Sequence, residues 1–188
     1  RDGWCVDELG DPQENLEPLF KKIVDHVPAP DVDKDAPFAM LTTILQSDPY
    51  LGRILTGRVY AGTAKINMPV KVMSLDGKEV ESGRLTKLHT FKGVAKVVAE
   101  EVQAGDIIAI AGLQMASVSD TICDVKVTEP IPSTPIDPPT MAITLGVNDS
   151  PLAGREGSKV TSRMIRDRLF AEAEVNVAIT VNETQNSD

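Results

Sequence analysis

One loop of the chain combines residue types that could hold a phosphate group. Residues 154–159 read Gly154-Arg-Glu-Gly157-Ser-Lys159 and come shortly before a predicted helix, and glycines, a lysine and a helix N-terminus can together bind an anion. Their spacing departs from the GxxxxGK(S/T) loop of nucleotide-binding proteins, which occurs nowhere in the chain, and no strand leads directly into them. A polar surface loop is therefore the simpler interpretation.

Catalytic and metal-binding patterns are equally scarce. His26 and His89 are the only histidines, and neither has a cysteine or a second histidine at ligand spacing. Cys5 and Cys123 lie far apart without a CxxC pair, which favours reduced thiols, and Cys123 is predicted to be a small core residue. No GxSxG nucleophile elbow occurs, although a triad assembled only in three dimensions stays open. The sequence predicts no catalytic, cofactor or metal site in these residues.

The distribution of charge is more informative. The chain has 19 Lys and Arg against 28 Asp and Glu, a net charge of −9, which argues against a basic surface throughout. Residues 53–96, however, hold nine basic side chains against three acidic ones, a net of +6, and residues 155–168 hold five against two, a net of +3. Phosphate contacts need only such local patches, because charges beyond a Debye length are screened. The alternative is an ordinary lysine-rich solvent face.

The candidate phosphate-contacting residues come from these two stretches. They are Arg53, Arg58, Lys65, Lys71, Lys87, Lys92, Arg155, Lys159 and Arg163.

The composition of the chain indicates the class of protein in which these candidate residues lie. At 41% hydrophobic and 25% charged residues, the 188-residue chain is predicted to be globular, and 4% aromatics means aliphatic cores. No run is long enough to span a membrane and no signal peptide is present, so a cytoplasmic protein without membrane contact is expected. Because the chain begins at Arg1 rather than Met, we expect a piece of a longer protein.

Two proline-rich stretches, residues 28–37 and 130–139, divide the chain into three segments. The first contains a helical apolar stripe that ends at Pro28, which fits the last helix of a missing domain or a helix packing on the rest of this chain. The apolar residues of that stripe are Leu16, Leu19, Phe20, Ile23, Val24 and Val27.

The middle segment, residues 36–129, is predicted to be a closed antiparallel β-barrel. Runs at 38–45, 51–60, 69–75, 94–98 and 107–111 are rich in β-branched residues and separated by turn residues. The pair Asp76-Gly77 indicates a two-residue hairpin, because both residues tolerate positive φ. Barrel closure would remove exposed strand edges.

The last segment, residues 140–188, is predicted to be a β-α-β unit. Apolar residues alternate with small or polar ones over 141–147 and 175–181, and the residues between them predict a helix capped by Thr161 or Ser162. Such a unit has too small a core to stand alone.

Several motifs give the barrel a family resemblance. Residues 57–63, Gly57-Arg-Val-Tyr-Ala-Gly-Thr63, together with 70–72, 101–113 and 120–122, resemble the β-barrel second domain of the translational GTPases, which include elongation factors Tu and G. Residues 50–59, 147–157 and 160–170 narrow the likeness: they closely resemble the TypA/BipA family of ribosome-associated GTPases, in particular its alphaproteobacterial or mitochondrial-like branch.

The resemblance covers the whole chain and implies its domain organisation. Residues 1–35 correspond to the last helix and linker of the G domain, 36–129 to the barrel, 130–139 to a linker, and 140–188 to the first half of a ferredoxin-like third domain. The fold class is thus mainly β, with an N-terminal helix and a partial β-α-β unit.

The resemblance also implies a function. The intact parent would be a cytoplasmic GTPase using GTP and Mg²⁺, bound to the ribosome and to its own remaining domains, and implicated in stress adaptation and subunit assembly. The barrel would dock on small-subunit rRNA, which makes the residues proposed above candidate rRNA contacts. The alternative is a spacer or lever that positions the G domain relative to later domains. The family's phosphate-binding loop, switches and guanine-recognition motif do not occur in these residues, so no GTP-site residue is carried over and this portion is predicted to be non-catalytic.

We expect the 188-residue chain not to bind or hydrolyse GTP, because it lacks the backbone nest that cradles phosphates and the lysine that reaches them. Titration with a fluorescent guanine nucleotide checks this expectation. A dissociation constant in the micromolar range or tighter would contradict it.

Overall fold

A computed structural model of the chain describes residues 3–148, 150–151, 155 and 161–183. The chain divides into two compact units, one ending at Asp31 and the other beginning at Val32. Within the described ranges, no helix combines the length and the apolar character that crossing a membrane requires. The finer division at residues 36, 130 and 140 stays a prediction.

The first unit contains the predicted amphipathic helix, α1 (Glu17–His26). Pro18 lies in its first turn, where a missing N–H costs nothing, and Val27 takes an extended conformation before Pro28 ends the helix. The backbone N–H of Leu19 donates to Cys5 Sγ at 3.1 Å, which ties the preceding loop to the helix. None of the helix residues is buried, and Phe20 and Val24 on its apolar stripe remain exposed.

The second unit is built on ten antiparallel strands, and it confirms the mainly β fold. They are β1 (Ala39–Asp48), β2 (Gly52–Ala61), β3 (Thr63–Lys65), β4 (Pro69–Met73), β5 (Glu79–Arg84), β6 (Lys87–Lys92), β7 (Ala95–Val98), β8 (Glu101–Gln103), β9 (Ile107–Ala111) and β10 (Thr121–Cys123). Eight form one sheet in the order β5-β4-β10-β1-β2-β9-β6-β7, and β3 pairs with β8.

The core is aliphatic, as the composition predicts. Leu55, Val59, Ile108, Ile110 and Leu88 are fully buried and belong to one continuous cluster. The close approach of strands β1 and β2 requires a glycine at one position: a Cβ on Gly57 would lie 1.9 Å from the carbonyl oxygen of Leu41. The register of β1 and β2 shifts at this point, between Thr42 and Ile44, which bends the long hairpin.

The β4–β5 hairpin is present, but its loop is longer than the predicted two residues. Residues 74–78 form the turn, closed by hydrogen bonds from Ser74 N–H to Lys78 O and from Gly77 N–H to Ser74 O, both 2.9 Å. Gly77 takes a φ of +80°, whereas Asp76 does not adopt positive φ. Hydrogen bonds from Lys78 and Ser74 lower the pKa of Asp76 to about 2. Backbone hydrogen bonds and side-chain contacts together, rather than a two-residue primed turn, shape this loop.

The barrel is not closed by a continuous ladder, which corrects the predicted closure. In the part of the chain that the structure describes, the sheet ends at β5 and β7, and no ladder pairs these two strands. The chain instead passes directly from β5 to β6, where Thr86 N–H donates to Ala111 O of β9 at 2.9 Å. The barrel is therefore closed by this backbone hydrogen bond, where the chain crosses from β5 to β6, and by side-chain contacts.

A carboxylate on the edge strand β5 makes the main such contact. Glu81 accepts the backbone N–H groups of Gln114 (3.1 Å), Met115 (2.7 Å) and Ala116 (2.8 Å). These three residues lie in the β9–β10 loop, residues 112–120. Because a carboxylate accepting several backbone N–H bonds is a strong acceptor, Glu81 fixes the loop against the edge of the sheet.

Two further side chains hold the same loop. The Arg53 guanidinium of β2 donates to Ala116 O at 2.9 Å, and Asp120 accepts Ser117 N–H at 2.8 Å. Burial raises the pKa of Asp120 above its ordinary value of 3.8, the hydrogen bond from Ser117 opposes that rise, and the nearby charge of Glu81 adds to it. The loop is thus held by side chains from β5 and β2 and by Asp120 at its own C-terminal end.

The last segment contains the predicted helix but not the predicted strands. Helix α2 (Ser162–Val175) begins after Thr161, whose hydroxyl accepts Met164 N–H at 3.4 Å, so Thr161 is the N-cap. Residues 141–147 and 176–181 form no strand. A strand requires a neighbour for its backbone hydrogen bonds, and among the described residues these two stretches have no ladder partner.

Replacing Glu81 with glutamine should destabilise the barrel by about 2 kcal/mol, because a neutral amide has one acceptor oxygen and leaves at least one loop N–H unpaired. Urea unfolding followed by circular dichroism measures the change. Glu79→Gln is the matched control, since the Glu79 carboxylate accepts only from the exposed Ser82 hydroxyl within the described residues. Equal destabilisation by both substitutions would contradict the role of Glu81.

The raised pKa of Asp120 predicts a pH dependence. The folded protein binds this proton more tightly than the unfolded chain, so ionisation of Asp120 costs folding free energy as pH rises from 3.8 through the folded pKa. Asp120→Asn keeps the acceptor for Ser117 but cannot ionise. Urea unfolding between about pH 3 and pH 7 should therefore show the variant gaining stability relative to the parent as pH rises through that window. Parallel curves would contradict this expectation.

Candidate nucleic-acid interface

Strand alternation places some of the candidate basic residues on an outward face. Val59 of β2, Ile108 of β9 and Leu88 of β6 are buried in the core, so their neighbours in sequence point to the opposite side of the sheet. Those neighbours include Arg58 and Lys87. We call the outward side of these three adjacent strands the outer β2–β9–β6 face.

The sheet register sets the spacing of these two cations. Arg58 lies directly across from Ile107 at the start of β9, and Lys87 lies directly across from Ala111 at its end. Strands β2 and β6 are both neighbours of β9, so the two cations are separated by about 10 Å across the strands and about 14 Å along them. This spacing suits contacts to different phosphates of one nucleic-acid strand, since phosphates recur every few ångströms.

The structure separates the other candidates of the barrel from this face. Arg53 shares the core-facing side of β2 with Leu55, two residues along, and its guanidinium is engaged with the β9–β10 loop. Lys92 is exposed at the end of β6, on the side that Leu88 occupies. Lys65, on β3, forms an ion pair with Glu101 at 3.3 Å, and Lys71 is half-buried on β4. The basic stretch does not form one continuous patch.

The second charge excess is also partly neutralised. Arg163 on α2 lies 3.9 Å from the carboxylate of Asp167 one turn later, and Arg168 donates to Glu172 at 2.8 Å. Arg155 is exposed. Lys159 and most of the loop 154–159 lie outside the described residues, so the structure does not test the anion-binding pattern there.

Sequence reasoning missed two residues of the outer face that bear no charge. Tyr60 follows Arg58 by two positions on β2, and the Arg58 guanidinium carbon lies 5.1 Å from the centre of the Tyr60 ring. Ile107 is 56% exposed directly across from Arg58. The signal was the Arg-x-aromatic spacing within Gly57-Arg-Val-Tyr60, which becomes informative only once residues 57–60 are known to form a strand.

No catalytic centre is apparent in the part of the chain that the structure describes. Burial raises the pKa of the Cys123 thiol to about 11, so almost no thiolate nucleophile exists near neutral pH. The residues described contain no group of three His, Cys, Asp or Glu side chains that could hold a metal ion. His89 lies half-buried on β6, across from Ala109.

Comparison with known proteins shows which family the chain resembles. Residues 52–123 match the family model for elongation factor Tu domain 2. The chain is 41% identical over 175 residues to the large ribosomal subunit assembly factor BipA of Bacillus subtilis, covering 93% of this chain and 28% of the relative. The chain is similar to part of BipA. BipA of Escherichia coli is 42% identical over 178 residues (95% of this chain, 29% of the relative), and that of Synechocystis sp. is 39% identical over 186 residues (99% and 31%).

These similarities confirm the resemblance to the TypA/BipA family and the barrel of translation-factor type. The elongation factor Tu domain 2 match runs from the start of β2 to the end of β10, so the outer β2–β9–β6 face lies wholly inside it. The likeness to BipA extends over nearly the whole chain, helices α1 and α2 included. The chain spans less than a third of the length of these BipA relatives.

Proposed function

We propose that this chain is the non-catalytic, ribosome-binding portion of a BipA-like translational GTPase, and that its barrel docks on small-subunit rRNA through the outer β2–β9–β6 face. The observation that carries the proposal is that Arg58 and Lys87 lie on the same outward face. Both belong to a stretch of net charge +6 in a chain of net charge −9. Local positive charge on a rigid sheet attracts a phosphate backbone even when the whole protein is acidic.

The wider parts of the proposal rest on the likeness to BipA. Its relatives are named as large ribosomal subunit assembly factors, which supports the ribosome as partner and the cytoplasm as location. GTP and Mg²⁺ would bind the whole protein outside these residues. The remaining domains of the whole protein would contact this portion as neighbours in one chain.

The remaining basic residues are secondary candidates in this proposal. Lys92, at the far end of β6 from Lys87 and on the opposite side of the strand, would make a separate contact. Lys65 and Lys71 would make separate contacts elsewhere on the barrel, and Arg53 would act by holding the β9–β10 loop. Arg155, Lys159 and Arg163 would form a second contact region.

A spacer or lever function is the alternative proposal. The aliphatic core and the stretches of proline on either side of the barrel favour it, because a stiff body between stiff connections transmits movement. The two functions differ in their dependence on salt, since phosphate contacts release counterions and rigid spacing does not.

Charge reversal of Arg58→Glu together with Lys87→Glu, made in the intact protein, should weaken binding to purified small ribosomal subunits by at least tenfold. Losing about two phosphate contacts should also make the slope of log affinity against log salt shallower by roughly 1.5. Sedimentation with purified subunits at several salt concentrations measures both quantities.

Lys78→Glu, which reverses one exposed charge on the β4–β5 hairpin, is the matched control for Arg58→Glu and Lys87→Glu made singly. Equal losses from Lys78→Glu would indicate nonspecific attraction. Unchanged binding by the double variant would favour the lever, and loss of binding to purified large subunits alone would move the docking site to that subunit.

A further inference from the structure

We propose that Arg58 and Tyr60 form a stacking platform for one unpaired RNA base. The inference rests on the proposed rRNA docking and names a contact within it that phosphate attraction does not supply. A base in a duplex has both faces covered, whereas an unpaired base can stack on an aromatic ring or on a guanidinium.

The geometry of the pair suits such a contact. Val59 lies between the two residues and is fully buried, so alternation directs both Arg58 and Tyr60 to the outer face. The Arg58 guanidinium carbon is 5.1 Å from the ring centre, and Tyr60 is 40% exposed. A planar cation held beside a partly open aromatic ring offers two flat surfaces to a third flat group.

The backbone beneath the platform is already held in place. Val59 N–H donates to Asp106 O at 2.9 Å, and Val59 O accepts Gly105 N–H at 2.8 Å. Just after the end of β2, Ala104 N–H donates to Gly62 O at 2.8 Å. The turn before β9 thus holds the backbone between Arg58 and Tyr60 and again two residues beyond Tyr60. Little conformational entropy remains for a ligand to remove, which favours binding.

The surroundings favour a base over a phosphate alone. Ile107, more than half exposed across from Arg58, adds an aliphatic surface that a phosphate cannot use but a base can cover. Arg58 and Lys87, which lie on the same face, attract the backbone that carries the base. Asp106 is the exposed acidic residue next to Ile107, and it opposes that attraction.

A single-stranded RNA of about eight nucleotides, within the site size of one barrel domain, with one 2-aminopurine tests the platform directly. Stacking quenches 2-aminopurine fluorescence, so binding of the 188-residue chain should lower the signal. Tyr60→Leu should abolish the quenching and weaken binding about tenfold with the salt slope unchanged. Lys87→Gln should weaken binding and reduce the slope by about 0.7 but keep the quenching at saturation.

Two controls keep the result interpretable. Tyr60→Phe retains the ring and should behave as the parent, which separates stacking from a folding defect in Tyr60→Leu. The same RNA annealed to its complement should show no quenching by the chain. Parent-like quenching and affinity in Tyr60→Leu would overturn the platform, as would quenching of the duplex.

Failure of the platform can be told apart from failure of rRNA docking. If the Arg58/Lys87 double variant loses small-subunit binding while Tyr60→Leu binds those subunits as the parent does, only the platform is overturned. If the double variant binds subunits as the parent does, docking through this face is overturned whatever the short RNA shows.

Discussion

The barrel depends on one carboxylate that accepts three backbone N–H groups. Glu81 lies on β5, which among the described residues has a ladder on one side only, and it accepts from residues 114–116 of the loop that joins β9 to β10. That loop joins β9 to β10, which are separated in the sheet by β2 and β1. Its Ala116 carbonyl oxygen also accepts a hydrogen bond from the Arg53 guanidinium. Glu81 thus joins the edge strand to the β9–β10 loop, alongside the backbone hydrogen bond from Thr86 N–H to Ala111 O where the chain crosses from β5 to β6. The charged acceptor is a strong one, and of the three N–H groups that it accepts only that of Ala116 belongs to a buried residue.

The alternation of side chains along the strands decides which basic residues face outward. Arg53 and Arg58 are five residues apart on one strand, yet they lie on opposite sides of the sheet, and only Arg58 faces outward with Lys87. A net charge counted along the sequence thus overstates the positive surface. The outer face combines two cations with an aromatic ring and an aliphatic side chain, which are the kinds of group that the proposed contact with phosphates and a base requires.

The likeness to BipA and the geometry of the outer face support the proposed function in different ways. The elongation factor Tu domain 2 match identifies the type of barrel, and domains of one fold carry unrelated functions. The proposed rRNA contact is argued from the residues of one face. Since the chain spans less than a third of the BipA relatives, the chemistry of GTP would lie in other parts of the whole protein.

The sequence by itself determined the elements with strong local signals: α1 from its apolar stripe and Pro28, the glycine turn at Gly77, and α2 with its Thr161 cap. The hairpin predicted at Asp76-Gly77 implied a strand after it, but the bounds of β5, Glu-Val-Glu-Ser-Gly-Arg, had no signal of their own because its apolar residues do not alternate. Only the tertiary structure decided that Glu81 holds a loop more than 30 residues away, that Arg53 faces inward, and that residues 141–147 form no strand. Helix caps and turns are settled by neighbours in sequence, whereas barrel closure, strand pairing and the composition of a face depend on residues distant in the chain.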